Sequence, residues 1–203
     1  VITVVDYGVG NIGAIINMAD YLGIDAEASG DPEKIRNASK LILPGVGAFD
    51  KAMLTLQNRG LIDPLNEAAL KRQIPVLGIC LGMQLLARRS DEGVQSGLGW
   101  IAADVLRITL PPESPLKVPH IGWLEVKPAR MSALFDPAVH NERFYFDHGY
   151  YVQCDSPQDV AATIDYGVEL CCAVNSGNVS GVQFHPEKSH RFGMRVLEAF
   201  GKI

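Results

Sequence analysis

Three short apolar runs, separated by stretches with helical spacing, constrain the first half of this chain more than any other feature. Ile2–Asp6, Lys40–Leu43 and Ile74–Ile79 read as buried strands. Asn11–Leu22 carries apolar residues at Ile12, Ile15, Ile16, Ala19 and Leu22, the period of a helix with one buried face. Asp31-Pro32-Glu33 reads as a helix start, with Asp at the N-cap and Pro in the first turn. Ala48–Leu56, Asp63–Arg72 and Gly82–Arg89 read as further helices. Strand and helix alternating through short connections predict an α/β fold: a mostly parallel, doubly wound sheet with helices on both faces.

The second half changes character. Ile101–Thr109, Ile121–Val126 and the aromatic stretch Arg143–Gln153 read as strands. Val160–Asp165 and Val168–Val174 flank Tyr166-Gly167 as a hairpin, and Asn175–Asn178 turns the chain into Val179–Phe184. Leu110–Pro119, with four prolines, is a loop, and His190–Phe200 is an amphipathic helix. A β-rich C-terminal layer on the sheet is therefore expected. No linker, repeat or low-complexity tract divides the 203 residues, so residues 1–203 read as a single domain.

Charge and composition exclude several functions. There are 18 basic and 23 acidic residues, giving a net charge of −5, and basic residues never run beyond pairs such as Lys71-Arg72. Such a chain has no electrostatic footprint for nucleic acid. No apolar stretch approaches the ~20 residues of a membrane span, and no secretory signal pattern is visible. Cys80, Cys154, Cys171 and Cys172 are too few and too badly spaced for a disulfide framework, and no Cys-x-x-Cys marks a zinc site. Free thiols in a reducing cytoplasm are expected, with no metal and no cofactor.

The sharpest chemical signal is Gly78-Ile79-Cys80-Leu81-Gly82, between a predicted strand and a predicted helix. It is a Gly-x-nucleophile-x-Gly elbow with cysteine in the serine place. Side chains at the flanking glycines would collide with neighbouring backbone, and the helix N-terminus favours a thiolate. A buried structural cysteine beside a glycine turn is the ordinary alternative. A thiolate nucleophile needs a base and an orienting acid. Among five histidines, His185 stands just after a predicted strand in Gln183-Phe184-His185-Pro186-Glu187. In an extended stretch, residues two apart share a side, so Glu187 can reach the His185 ring and fix its tautomer. Pro44-Gly45-Val46-Gly47, at the carboxyl end of a strand, offers backbone N–H groups for an oxyanion hole, although a plain turn or a phosphate nest has the same pattern. Gly8, Gly10 and Gly13 fit a dinucleotide spacing with Glu27 or Asp31 as the acid. That reading leaves Cys80, His185 and Glu187 without a role.

Taken together, Gly78–Gln84, Pro44–Gly47 and His185-Pro-Glu187-Lys-Ser resemble the class I (triad-type) glutamine amidotransferases, whose fold is flavodoxin-like. Asp6–Asn11, Leu41–Phe49, Lys117–Trp123, Phe144–Tyr150 and Gly181–His185 are similar to the glutaminase subunits of imidazole glycerol phosphate synthases. The resemblance covers Ile2 to Phe200. It implies that Cys80 attacks the glutamine side-chain amide, that His185 shuttles the proton and that Glu187 orients His185. It implies an oxyanion hole at Val46 or Gly47 and at Leu81, with Gly45, Gln84, Glu92 and the backbone of Gly149 and Tyr150 holding L-glutamine. It also implies a heterodimer with a (β/α)₈ barrel synthase that takes the ammonia, contacted through Asn11, Pro119, His120, Trp123 and Lys188. Length agrees, since a barrel alone needs ~250 residues. For Trp123 a half-buried core role is an equal alternative. Three positions depart from the family pattern: Gly149 for Ser or Thr, Asp147 for a small apolar residue and Leu124 for Asn. With Gly97–Asp104 and Lys188–Met194, they suggest a branch similar to paralogues that supply ammonia for amidating a surface-polysaccharide sugar. A stand-alone cysteine hydrolase and a catalytically dead scaffold are the remaining alternatives.

Overall fold

The structure, a computed structural model, describes residues 1–203. Its first strands are β1 (Ile2–Val5), β2 (Ala26–Ser29), β3 (Leu41–Leu43) and β4 (Val76–Ile79). They are joined through α1 (Ile12–Tyr21), α2 (Pro32–Asn37), α3 (Phe49–Asn58) and α4 (Ile62–Asn66). Helix α4 continues as a π-helical turn over Glu67–Lys71, and α5 (Leu81–Leu85) follows β4. The remaining elements are β5 (Ala103–Arg107), β6 (His120–Glu125), β7 (Lys127–Pro128), β8 (Arg143–His148), β9 (Tyr150–Cys154), β10 (Val160–Asp165), β11 (Glu169–Ser176), β12 (Val179–Val182) and α6 (His190–Lys202).

The central sheet has eight strands in the order β2-β1-β3-β4-β12-β11-β10-β7. Neighbours from β2 to β12 pair parallel, and β11, β10 and β7 extend the sheet antiparallel. The order 2-1-3-4 is the flavodoxin-like one, in which the third strand lies on the far side of β1 from β2, whereas a dinucleotide-binding sheet places it beyond β2. This removes the fold context that the Gly8–Gly13 spacing requires. Residues alternate between two cores, as strand geometry dictates. Leu41 and Leu43 pack on one face with Phe49, Leu56 and Leu65, whereas Ile42 packs on the other with Ile15, Leu197 and Phe200. Both faces are thus covered, which explains why the parallel strands read as continuous apolar runs. Asp31 caps α2 as expected, its Oδ1 accepting from Glu33 N at 2.9 Å.

Three expectations need correction. Strand β2 (sequence AEAS) carries no apolar run, because it is an edge strand with exposed central residues, so the sequence pattern passes it over. The stretch Arg143–Gln153 is two strands, broken at Gly149: β8 pairs antiparallel with β6, and β9 with β5. Helix α5 stops at Leu85, short of the expected Arg89, because the chain turns to bring Ser90 alongside Val105.

Candidate active site

The carboxyl ends of β3, β4 and β12 lie side by side, since these strands are consecutive parallel neighbours. Each delivers one part of the site, at the edge where open α/β sheets bind ligands. After β4 the chain turns sharply at Cys80, with φ +55° and ψ −113°, a conformation sparsely populated for a non-glycine residue. The flanking glycines are required by space. A Cβ on Gly82 would stand 1.8 Å from Leu43 O, and one on Gly78 would meet Gly82 O at 2.7 Å. The steric reason expected from the sequence therefore holds, and the elbow clasps the end of β3. Cys80 is only 6% exposed, yet its side chain lines a cavity of about 470 Å³.

His185 enters the cavity from the end of β12. Its backbone N–H donates to Tyr145 O at 2.9 Å, and its carbonyl accepts from Ser189 Oγ at 2.6 Å. Nδ1 pairs with Glu187 Oε1 at 2.9 Å, with both side chains almost wholly buried. Glu187 reaches the ring through a tight 3₁₀ turn, Pro186–Lys188, in place of the extended stretch that the sequence suggested. Burial works against a charged His185 ring, but hydrogen bonds and charge from Cys80 and Glu187 outweigh it and push the pKa up to about 10. Glu187 Oε2 is buried without a partner, so His185 is the carboxylate's neutralising contact.

Opposite the elbow, Val46 and Gly47 are exposed at the rim, and Gly47 has φ +96° with open space where a side chain would be. Leu81 opens α5, so its N–H has no partner within the helix. Gly45 is packed against the elbow, where an added Cβ would stand 2.7 Å from Gly82 N. Gln84, Glu92, Gly149, Tyr150 and Lys188 line the same cavity. Glu92 Oε2 accepts from Phe49 N at 2.9 Å, tying it to the start of α3. Beneath Tyr150, His148 Nδ1 donates to Tyr150 O at 2.8 Å, and its Nε2 faces His120 Nδ1 at 3.3 Å. Burial pushes His148, which itself lines the cavity, down to about 4, and lowers His120 as well.

The residues expected to face a partner divide. Asn11, Pro119 and Lys188 are exposed, and Trp123 is 36% exposed while stacking on His190 with ring centres 5.6 Å apart. His120 departs from its expectation: it is 3% exposed and packed on Tyr166 and Phe146. Strand β6 alternates inward and outward, so His120 turns in while Ile121, 60% exposed, and Trp123 turn out. Sequence reading also passed over two cavity neighbours. Arg107 lines the cavity from β5, opposite Tyr150 in the ribbon. Gln183 is fully buried, and its Nε2 lies 3.7 Å from Cys80 Sγ. No helix is long and apolar enough to cross a membrane.

A family model described as glutamine amidotransferase class-I matches residues 3–202. The chain belongs to the class I glutamine amidotransferases. Enzymes of this class are glutaminases that use a Cys-His-Glu triad. Among relatives, the chain is 48% identical over 201 residues to the imidazole glycerol phosphate synthase subunit HisH 2 of Methanococcus maripaludis, covering 99% of this chain and 98% of the relative. It is 46% identical over 202 residues to the subunit of the same name from Pseudomonas aeruginosa, covering 100% and 99%. Among solved structures, a glutamine amidotransferase superposes with a TM-score of 0.76 at 18% identity, covering 99% of both chains. PurLQS from Thermotoga maritima gives 0.73 at 19% identity, covering 98% and 96%. The amidotransferase fold is therefore common to chains that have diverged widely in sequence.

Proposed function

We propose that this amidotransferase is the glutaminase subunit of an imidazole glycerol phosphate synthase, supplying ammonia to a (β/α)₈ partner in histidine biosynthesis. The observation that carries the reading is one cavity lined by Cys80 and His185, with Glu187 paired to the His185 ring, in a chain 46–48% identical, end to end, to subunits of that name.

Cys80 Sγ attacks the side-chain amide carbon of L-glutamine, forming a C–S bond. Charge developing on the amide oxygen is met by backbone N–H groups of Leu81 and of the Val46–Gly47 segment. His185 delivers its proton to the amide nitrogen, the C–N bond breaks, and ammonia leaves a γ-glutamyl thioester. Water then attacks the thioester and gives a proton to His185, glutamate departs, and the sulfur regains its electron pair. Glu187 holds the ring and its charge throughout. Gln84, Glu92 and the Gly149–Tyr150 backbone hold the amino-acid end of glutamine. Ammonia protonates quickly in water, so a sealed contact with the acceptor enzyme is needed. The exposed rim of Asn11, Val46, Pro119, Ile121, Trp123 and Lys188 supplies the surface for it.

A second reading, ammonia supply for amidation of a polysaccharide sugar, is favoured by Asp147 and Gly149 at the cavity and by Leu124 in β6. Growth decides between the two. Expressed with its own organism's barrel subunit in a bacterium lacking the glutaminase subunit, the chain is expected to restore growth without histidine on a low-ammonia medium, and Cys80→Ala is not. Glutamine hydrolysis by the complex without restored growth would move the assignment to the second reading.

A further inference from the structure

Gln183 stands two residues before His185, just past the end of β12, and has no exposed surface. Its Nε2 donates toward Cys80 Sγ at 3.7 Å. Its Oε1 accepts from Gln84 Nε2 at 3.0 Å. A buried primary amide is expensive to leave unsatisfied, and an amide can face either way around. The sulfur settles the direction: an attacking thiolate only accepts, so it takes the Nε2 end of Gln183, and Oε1 is then the end that accepts from Gln84 Nε2. Gln84 is itself 5% exposed and fixed on α5, so the pair is held from both sides of the elbow.

We propose that Gln84 and Gln183 form a positioning relay that aims an N–H donor at Cys80 and fixes the direction of its sulfur. A donor stabilises the anion more than the neutral thiol, because bonds to charged groups are the stronger ones. His185 and Gln183 then fix the sulfur from two directions, leaving one lone pair toward the cavity. The same arrangement gives Gln84 a second task. With its Nε2 committed to Gln183, the end it can offer to glutamine is the acceptor Oε1, which suits an ammonium or amide N–H of the substrate.

The inference rests on Cys80 being the attacking thiol, but its test does not need glutamine. Alkylation of Cys80 by iodoacetamide is followed against pH in the full-length chain, with modification read at the Cys80 peptide. In Gln183→Met, which keeps length and burial but removes the donor, the midpoint of the pH–rate profile is expected to rise by about one unit, the shift for loss of one hydrogen bond to a charged group. Gln183→Glu, nearly the same shape but with a carboxylate beside the sulfur, should raise it further. Gln84→Met should give a smaller rise, since the amide of Gln183 is then free to turn. A role in packing alone predicts that Gln183→Met leaves the midpoint where it is while changing stability. An unmoved midpoint in folded Gln183→Met overturns the relay while leaving Cys80 as nucleophile intact. Failure of glutaminase activity in the wild-type complex would defeat the parent reading instead.

Discussion

His185→Asn is expected to lower glutamine turnover by ~10⁴–10⁶-fold, because nucleophile and base act as one unit and losing either removes nearly the whole catalytic gain. Asparagine occupies the same place and keeps hydrogen-bonding ability, so the loss reports proton transfer and not packing. Glu187→Gln should be roughly two orders of magnitude milder, since the ring remains and only its charge partner is lost. It should also leave a signature in pH. Glu187 is one of the groups that hold the His185 pKa up near 10, so the protonated ring that delivers a proton to the leaving nitrogen persists far into the alkaline range. Removing the carboxylate charge lowers that pKa. The alkaline limb of the kcat/KM profile is therefore expected to move to lower pH. Steady-state ammonia release by the complex across pH checks both points. A silent Glu187→Gln, with an unmoved alkaline limb, would contradict the triad.

The purified chain alone is expected to hydrolyse glutamine 10²–10³ times more slowly than the same chain bound to its barrel partner and that partner's ligand. The reason lies in the Gly45–Gly47 segment. Gly47 sits at φ +96° on the exposed rim, and glycine tolerates both signs of φ, so a turn of the Val46–Gly47 peptide between two orientations is sterically possible. One of them aims an N–H at the developing oxyanion, and the other turns it away. A single oxyanion donor contributes about 3–4 kcal/mol, which corresponds to the stated factor. A partner shifts the balance only by binding one orientation better than the other, and Val46 at the rim is placed to sense it. Gly47→Ala disfavours the positive φ, so it should change the ratio between free and bound rates. Equal turnover with and without the partner would remove gating and favour the stand-alone hydrolase.

The parts of this molecule legible in sequence are those that short-range sterics fix. Gly78, Gly82 and Cys80 could be read as an elbow because the clash that forbids a side chain arises within five residues and the strand beside them. His185 and Glu187 were legible for the same reason, although the turn that joins them is 3₁₀ and not extended. Gln183 was not, because its meaning depends on a sulfur 103 residues away and on Gln84 beyond it. Gly149 looked like one residue in an aromatic strand, and only the two different pairing partners of β8 and β9 make it a break. The inward turn of His120 is not legible beside the exposed Pro119 and Trp123, because one step along a strand reverses the side.

The central claim is that Cys80 is the thiol that attacks glutamine, and covalent trapping tests it most directly. The complex is treated with a glutamine analogue carrying an electrophilic diazoketone in place of the side-chain amide, and each cysteine peptide is weighed. Cys154, Cys171 and Cys172 are buried, and none lines the cavity. Burial pushes the Cys172 thiol up, and the contact with Cys154, with burial, does the same for Cys171. The account predicts one adduct, on Cys80, blocked by excess L-glutamine and absent in Cys80→Ala. An adduct on Cys154, Cys171 or Cys172 in place of Cys80, or undiminished labelling and turnover in Cys80→Ala, would contradict it.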